Sequence, residues 1–445
     1  MDDTNDTDKT ANNTKSLNDA AGMRAFIFES YSFDANSGRA SFRYRFDDGR
    51  AFEEIVMYQP PTVEYDLAVL DRALFLAFSI IGTSYLKTFP TKNVLFKNRA
   101  IDAQQAKFLN KVYGEGLSQF AYENELTRAD LPLFTATTDE EPDPVRYLGV
   151  GRLVLQSGGK DSLLVARMLQ IHQLSFTPWY LGSAEHHPEV LDQLGQQLQT
   201  SLRSIDKAAL TQAATDGGKN GHVPVTYIVQ SLALIQAILL GKRDVFVSIA
   251  HEGEEPHATI GNLAVTHQWS KTWEAEQLFA SYVTTYVSPN LRVGSPLRRL
   301  TELRVAQKFA TVAWEKYGHS FSSCNRANYE QGADNSHLQW CGECPKCANS
   351  FILFAPFVPA ETLMELFAGK DLFAVPTLQD TFKGLFGVDG IMKPFECVGE
   401  IDELRYAYHA AQAKGGYQPL NFTVPASSFD GTVEYPSQDW AYLAD

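Results

Sequence analysis

The chain lacks any dense run of lysine or arginine, and its 38 basic residues are outnumbered by 53 acidic ones, which gives a formal net charge of −15. An acidic surface repels a phosphate backbone, so we expect no nucleic-acid partner. We also find no run of about 18 apolar residues and no N-terminal signal in which a basic segment precedes an apolar one. These absences predict a cytoplasmic protein with no membrane partner.

Cysteine is also scarce, and four of the five cysteines lie in one short segment of the chain. Three of them are spaced two residues apart in CGECPKC, where short turns can direct several thiolates at one tetrahedral ion. In a reducing compartment such clustering favours a metal over disulfides. We expect structural zinc, with an iron–sulfur cluster as the alternative. The predicted ligands are Cys324, Cys341, Cys344 and Cys347.

Composition divides the chain into five expected parts. Residues 1–22 contain almost nothing to bury and predict a disordered tail. Residues 23–137, with alternating segments on both sides of Asp48-Gly49, predict a small α+β domain that contains a hairpin. Residues 138–146 are acidic and proline-containing, as in a linker. Residues 147–320 predict an α/β nucleotide-binding domain, and residues 321–445 a helical region that contains the cysteine cluster.

The central part of the chain alternates between strand-like and helix-like segments. Predicted strands are RLVLQ, FTPWYL, LRSID, DVFVSI and LRVGS, and predicted helices include HPEVLDQLGQQLQ and VTYIVQSLALIQAILL. Strands separated by helices indicate an α/β fold with a parallel, doubly wound sheet. Ligands of such sheets bind beyond the carboxyl ends of the strands. The segment QSGGKDS, at the end of the first strand, is therefore expected to face a binding crevice.

The chemistry of QSGGKDS is that of an anion-binding loop. Gly158 and Gly159 allow positive φ and a close backbone approach, and the helix predicted to begin near Ser162 directs free N–H groups at the crevice. Lys160 offers a positive charge, and Asp161 suits a magnesium ion. Because Asp161 stands where a Walker A loop needs Ser or Thr, that nucleotide class is disfavoured. The predicted phosphate-binding residues are Ser157, Gly158, Gly159, Lys160, Asp161 and Ser162.

This loop resembles the S-G-G-x-D-S loop of the PP-loop ATP pyrophosphatases. Members of that superfamily bind ATP, activate a carboxylate or amide oxygen as an adenylate, and release pyrophosphate. The resemblance implies a PP-loop sheet for residues 147–320, with the loop residues around the β- and γ-phosphates of ATP.

A second resemblance covers nearly the whole chain. SIIGTSYLKTFP, KVYGEGLSQFAYEN, SGGKDSLLV, THQWSKTWEAE, SSCNRA, WCGECPKC and KPFECVGE, in this order, resemble the bacterial UDP-N-acetylmuramoyl-L-alanyl-L-glutamate epimerases, the MurL family. The resemblance implies an isomerase of peptidoglycan synthesis in the bacterial cytoplasm. Its small-molecule substrate would be the UDP-muramoyl dipeptide, and it would require ATP and magnesium. The segment AHEGEEPHATIGN departs from the family pattern.

Several side chains are candidates for the reaction itself. His267 and Lys271 are four residues apart, hence on one face if the segment is helical, and with Asp161 they form the predicted catalytic set. The alternative for His267 and Lys271 is a capped surface turn. For Glu252 it is an exposed acidic loop and for Arg298 a solvated helix face, while Cys397 is interpreted as a small buried residue. The predicted substrate-binding residues are Glu252, Arg298, Asn325, Arg326 and Glu396.

Other functions remain open at the level of sequence. A PP-loop synthase or ligase acting on another carboxylate, similar to the 7-cyano-7-deazaguanine synthases, would use the same phosphate-binding loop. A non-catalytic module would bind ATP without releasing pyrophosphate. The sequence leaves open which residue is the base on each face of the α-carbon, whether an oxazolone or an enolate forms, and the oligomeric state.

Overall fold

A computed structural model describes residues 24–330, 335–436 and 440–444. The tail expected at residues 1–22 lies outside these ranges. The strands are β1 (Ala25–Asp34), β2 (Arg39–Phe46), β3 (Ala51–Met57), β4 (Asn93–Phe96), β5 (Arg152–Leu155), β6 (Thr177–Gly182), β7 (Gln199–Ser204), β8 (Asp244–Phe246), β9 (Ala258–Ile260), β10 (Leu263–Val265) and β11 (Arg292–Gly294).

Helices cover both faces of the sheet and form most of the C-terminal region. They are α1 (Leu67–Ile81), α2 (Thr83–Leu86), α3 (Ala103–Gly114), α4 (Ser118–Glu123), α5 (Lys160–Ile171), α6 (Lys207–Thr215), α7 (Val225–Leu239), α8 (Trp273–Tyr282), α9 (Glu302–Val312), α10 (Trp314–Tyr317), α11 (Asn325–Asn328), α12 (Pro345–Phe354), α13 (Ala360–Glu365), α14 (Gln379–Leu385) and α15 (Ile401–Lys414).

Nine strands form one sheet in the order β11-β8-β5-β6-β7-β3-β2-β1-β4. The half formed by β11, β8, β5, β6 and β7 is parallel, and each of its strands was predicted from the sequence. The hairpin at Asp48-Gly49 is also confirmed, since β2 and β3 pair antiparallel across it. Because β3 pairs antiparallel with β7, the N-terminal strands continue the parallel half without a break.

The sheet separates two hydrophobic cores. Successive side chains of a strand point to opposite faces, and accordingly Leu153 and Val154 belong to different cores. One core contains α1 and α7, and the other contains α5, α9 and α12. In the parallel half, the strand order reverses between β5 and β8, which is the point where doubly wound sheets bind ligands.

One predicted helix was wrong. HPEVLDQLGQQLQ is not an α-helix: only Glu189–Leu194 form a 3-10 turn, Gly195 follows with φ 69°, and Gln199 already begins β7.

The chain also contains a segment, Leu67–Leu86, that is long and apolar enough to cross a membrane by length and composition. Asp71 and Arg72 interrupt it in the sequence. In the structure 78% of its most apolar window is buried, and α1 packs on α7 inside the protein.

Candidate active site

The glycine-rich loop connects the carboxyl end of β5 to α5. Gly158 has φ 82°, a conformation that favours glycine, and a Cβ built there would lie 2.4 Å from Cδ1 of Leu338. Gly159 caps α5, which begins at Lys160 rather than near Ser162. The first N–H groups of α5 therefore lie directly behind the loop, as expected for an anion site.

Two serines fix the shape of this loop. The backbone N–H of Ser157 donates to Oγ of Ser162 at 3.2 Å, and that hydroxyl donates to the carbonyl of Gly159 at 3.1 Å. Gln156 adds a bond from Nε2 to the carbonyl of Ser162 at 3.1 Å. The loop is thus held in one conformation by its own polar groups.

Lys160 does not face the crevice, which corrects its expected role as a phosphate ligand. Its Nζ lies 2.9 Å from Oδ1 of Asp161 and 2.6 Å from Oε2 of Glu302, and the side chain is buried. Burial lowers the pKa of Lys160, but the charges of Asp161 and Glu302 outweigh it and raise the pKa above its usual range. Lys160 therefore bridges Asp161 and Glu302 beneath the loop.

A cavity of about 360 Å³ opens at the carboxyl ends of β5 and β8. Among the described residues that line it, Asp161 is the single acid, and Lys271 and Lys346 are the bases. Two buried polar atoms at its wall, Oε1 of Gln156 and Oγ of Ser248, have no hydrogen-bond partner within the described residues. Gln156 is only 5% exposed. Unsatisfied buried polar atoms are costly, so their presence marks this wall as a ligand site. The loop residues on the lining are Ser157, Gly159, Asp161 and Ser162.

His267 lies beside this cavity, on a smaller one of about 10 Å³. Nε2 of Gln119 donates to Glu123 at 2.7 Å, so its Oε1, which lies 2.7 Å from Nδ1 of His267, accepts from the histidine. This assignment leaves Nε2 of His267 with a free lone pair. Burial lowers the pKa of His267 to about 4, so the ring is neutral near pH 7.

Of the three expected catalytic residues, Lys271 is the one that lines both cavities. Its Nζ donates to Oε2 of Glu252 at 3.0 Å. Burial lowers the pKa of Lys271, but Cys397, Glu252 and Asp161 together raise it above its usual range. Lys271 is therefore an ammonium at neutral pH. Burial raises the pKa of Glu252, but the charges of Lys271 and Lys160 outweigh burial and lower the pKa below its usual value. Glu252 is therefore the carboxylate partner of Lys271.

The remaining predicted substrate ligands differ in their positions. Asn325 lines the large cavity and Glu396 the small one, with Nδ2 of Asn325 3.4 Å from Oε2 of Glu396. Arg326 is half-exposed, pairs with Glu343 at 3.4 Å and lines neither cavity. Its expected substrate contact is not supported by this geometry.

Arg298 is an interior residue and not a substrate ligand. It is 1% exposed, and its Nη1 donates to the carbonyls of Ala250 and Lys271 at 2.8 Å each. Its Nη2 lies 3.0 Å from Glu276. A guanidinium with every direction occupied fixes the backbone around Lys271, which is a positioning role.

The four predicted metal ligands come together. Their sulfur atoms lie within 4.8 Å of one another, and the Sγ–Sγ distances from Cys324 to Cys344 and from Cys341 to Cys347 are 3.5 and 3.7 Å. Backbone N–H groups of Gly342 and Ala327 donate to two of the sulfurs. The group could therefore hold a metal ion such as zinc.

The cysteine cluster also supports the glycine-rich loop. Ser322 lies two residues before Cys324, the first cysteine of the cluster, and its N–H donates to the carbonyl of Gly158 at 3.3 Å. The hydroxyl of Tyr329 donates to the carbonyl of Ser157 at 3.3 Å. Lys346 stands between two ligands in C-P-K-C and lines the large cavity. No carboxylate of the described ranges forms an ion pair with it.

Sequence reasoning missed three groups at this site. Glu302 lies at the first turn of α9, far from the loop in sequence, and no local pattern connects it with Lys160. Lys346 lies in C-P-K-C, a spacing that predicts metal binding and does not indicate that the lysine lines a cavity. Cys397 was interpreted as a small buried residue, whereas it lines both cavities. Only the fold brings these segments together.

Two family models match this chain. The family model described as MurL N-terminal domain matches residues 17–295, and the one described as MurL C-terminal domain matches residues 320–424. The chain belongs to the MurL family. The resemblance read from seven sequence segments is thereby confirmed, together with the expectation of an isomerase.

Three relatives from this family are named "UDP-N-acetyl-alpha-D-muramoyl-L-alanyl-L-glutamate epimerase". The protein of Xanthomonas oryzae pv. oryzae is 33% identical over 391 residues, which is 86% of this chain and 85% of the relative. The Salinispora tropica protein is 33% identical over 405 residues, covering 89% and 86%. The protein of a Micromonospora species is 31% identical over 398 residues, covering 86% and 85%.

Proposed function

We propose that this MurL protein inverts the terminal L-glutamate of UDP-N-acetyl-alpha-D-muramoyl-L-alanyl-L-glutamate after activating its α-carboxylate with ATP. The substrate is the one in the names of its relatives. Loss of the α-proton from a carboxylate would add negative charge to an anion. Adenylation removes that charge and supplies a leaving group, so it makes the α-carbon acidic. One observation carries the proposal: the glycine-rich loop opens into the same cavity as Lys271 and Lys346.

The phosphates of ATP would bind the loop of residues 157–162, of which Ser157, Gly159, Asp161 and Ser162 line the cavity. Asp161 would hold magnesium, because carboxylate oxygen is a preferred ligand and Asp161 is the acid on the cavity lining. The ion would neutralise phosphate charge when bound. Lys346, which forms no ion pair among the described residues, would contact a carboxylate or the diphosphate of the substrate.

We further propose that the cysteine cluster holds zinc with a structural role. Zinc–thiolate bonds of about 2.3 Å in a tetrahedron require sulfur atoms roughly 3.8 Å apart, and the distances of 3.5 and 3.7 Å are close to this. Four sulfur ligands leave no open position for substrate. The cluster would therefore act on catalysis only through the loop that it supports and through the position of Lys346.

Lys271 and His267 would have different tasks. The ammonium of Lys271, held charged by Glu252, would donate a proton to the α-carbon or stabilise charge on the activated acyl oxygen. Neutral His267 would accept protons through Nε2 in the small cavity. The segment from His267 to Lys271 contains a 3-10 turn, Trp269–Lys271, preceded by Gln268 with φ 57°. This strained backbone fixes both side chains relative to the cavity.

The test is incubation of the protein in heavy water with ATP, magnesium and the UDP-muramoyl dipeptide, followed by chiral analysis. We expect D-glutamate with deuterium at the α-carbon, and AMP and pyrophosphate only when substrate is present. Asp161→Asn should depress nucleotide consumption and inversion in parallel, while Asp192→Asn, at a mostly exposed side chain, should leave both unchanged. ADP as product, or inversion without ATP, would contradict the proposal.

A further inference from the structure

Cys397 has a position that the four clustered cysteines do not share. It is the only cysteine outside the metal-ligand group, and it lines both the large cavity and the small one. Lys271 is the other residue on both linings. The thiol therefore lies where the glycine-rich loop, the lysine ammonium and the histidine cavity meet.

The surroundings of Cys397 suit a proton carrier. Lys271 and Lys346 place two cationic side chains on the same cavity lining as Cys397. The single acid on that lining is Asp161, whose carboxylate lies 2.9 Å from Nζ of Lys160. Independently of the cysteine, the unpartnered Oε1 of Gln156, on a side chain only 5% exposed, marks the cavity as a ligand site.

We propose that Cys397 is a catalytic residue that exchanges the α-proton of the activated glutamyl group on one face, with Lys271 as the acid on the other. This inference rests on the proposed function. A fixed group returns a proton to the face from which it took it, so inversion of an intermediate held in one orientation needs a second group on the other face.

The proposed step is balanced without any further reagent. The thiolate of Cys397 takes the α-proton, so an S–H bond forms as the C–H bond breaks, and the electron pair moves onto the acyl oxygen as an enolate. The α-carbon then takes a proton from the ammonium of Lys271 on the opposite face. Proton transfer from the thiol back to the neutral amine of Lys271 restores the starting state, and water releases the inverted acid and AMP.

The test compares Cys397→Ser with the wild-type holoenzyme by chiral analysis of glutamate, which needs no assumption about the nucleotide. We expect the variant to lose inversion by about 10²-fold or more, with unchanged metal content and thermal unfolding. AMP release driven by substrate should stay within about tenfold of wild type, because adenylation precedes proton transfer. Inversion by Cys397→Ser at the wild-type rate would overturn the proposal.

Alkylation gives a second readout that does not depend on turnover. Iodoacetamide should label the metal-loaded wild type at Cys397, and the UDP-muramoyl dipeptide with ATP and magnesium should slow this labelling. Cys397→Ser is the matched control and should take up no label at the same exposure. Labelling at a rate that substrate does not change would contradict contact between Cys397 and substrate. Inversion of the glutamate by the wild-type protein without ATP would contradict adenylation alone. The comparison of Cys397→Ser with the wild type would still test the role of Cys397.

Discussion

The ammonium of Lys160 lies 2.6 Å from the carboxyl group of Glu302, and both side chains are buried beneath the glycine-rich loop. Asp161 shares the same ammonium. Since one lysine faces two acids, one acid remains without a full counter-charge. Burial, together with the neighbouring charges of Asp161 and Glu252, raises the pKa of Glu302 to about 8. Near neutral pH, Lys160 is therefore an ammonium and Glu302 holds a proton.

This arrangement predicts a pH dependence of stability. The folded protein binds a proton at Glu302 that the unfolded chain releases above its ordinary pKa of about 4.3. The contribution of Glu302 is thus fully present below that pKa and is lost as the pH rises through about 8. Relative to Glu302→Gln, the free energy of unfolding of the wild type should fall by at least about 1 kcal/mol between pH 5 and pH 8. Parallel curves for the two proteins would contradict this account.

Arg298 should be required for stability rather than for substrate affinity alone. Arg298→Ala removes the cation that pairs with the carboxylate of Glu276 and the donor to the carbonyls of Ala250 and Lys271. Loss of one partner of a buried pair typically costs about 3–5 kcal/mol. Arg299→Ala, at the neighbouring exposed position, should change stability by less than about 0.5 kcal/mol. Equal unfolding midpoints for the two variants in denaturant would count against the interior role of Arg298.

Glycine at position 158 should be required for the shape of the phosphate site. Gly158→Ala combines a positive φ with a Cβ only 2.4 Å from the side chain of Leu338. Gly195→Ala, at a φ of 69°, places its Cβ in open space and serves as the control for backbone strain alone. Both variants should lose about 1 kcal/mol of stability because of the strained backbone conformation. Only Gly158→Ala should also lose ATP-dependent turnover in steady-state assays, by roughly tenfold or more, because its catalytic loop is displaced. Normal turnover by Gly158→Ala would mean that the loop tolerates displacement.

The cysteine cluster should stabilise both the C-terminal region and the loop. Purified protein should contain about one zinc per chain, and Cys344→Ser should lose it together with much of the C-terminal stability. Because Ser322 and Tyr329 bond to the loop carbonyls, turnover should fall as well. Cys397→Ser, outside the cluster, should keep its metal. Iron with inorganic sulfide, or a fully folded protein without metal, would contradict the zinc assignment.

The parallel strands, the glycine-rich loop and the cysteine cluster were predictable because each is encoded by contiguous residues. Short continuous apolar runs define β5 and β8, and C-x-x-C spacing places sulfurs within one turn. The roles of Lys160 and Arg298 were not predictable in this way. Whether a charged side chain points into a cavity or into the core depends on partners such as Glu302 and Glu276, which come from distant segments.

The antiparallel pairing of β3 with β7 escaped sequence analysis for the same reason. Each strand has a regular apolar pattern, but no local sequence signal indicates which other strand it pairs with. His267 and Lys271 were selected by helical spacing, yet they lie on a strained loop and a 3-10 turn. They approach the same region because Gln119 and Glu252 hold them there, which the sequence spacing alone did not indicate.

The most direct test of carboxylate activation is an isotope-transfer experiment. The UDP-muramoyl dipeptide would be labelled with ¹⁸O in the α-carboxylate of its glutamate, and the nucleotide product would be analysed by mass spectrometry. If that carboxylate attacks the α-phosphorus of ATP, AMP should carry one ¹⁸O atom and pyrophosphate none, and D-glutamyl product should accumulate with the labelled AMP. Inversion that proceeds with unlabelled AMP, or with ADP as the product, would contradict the account.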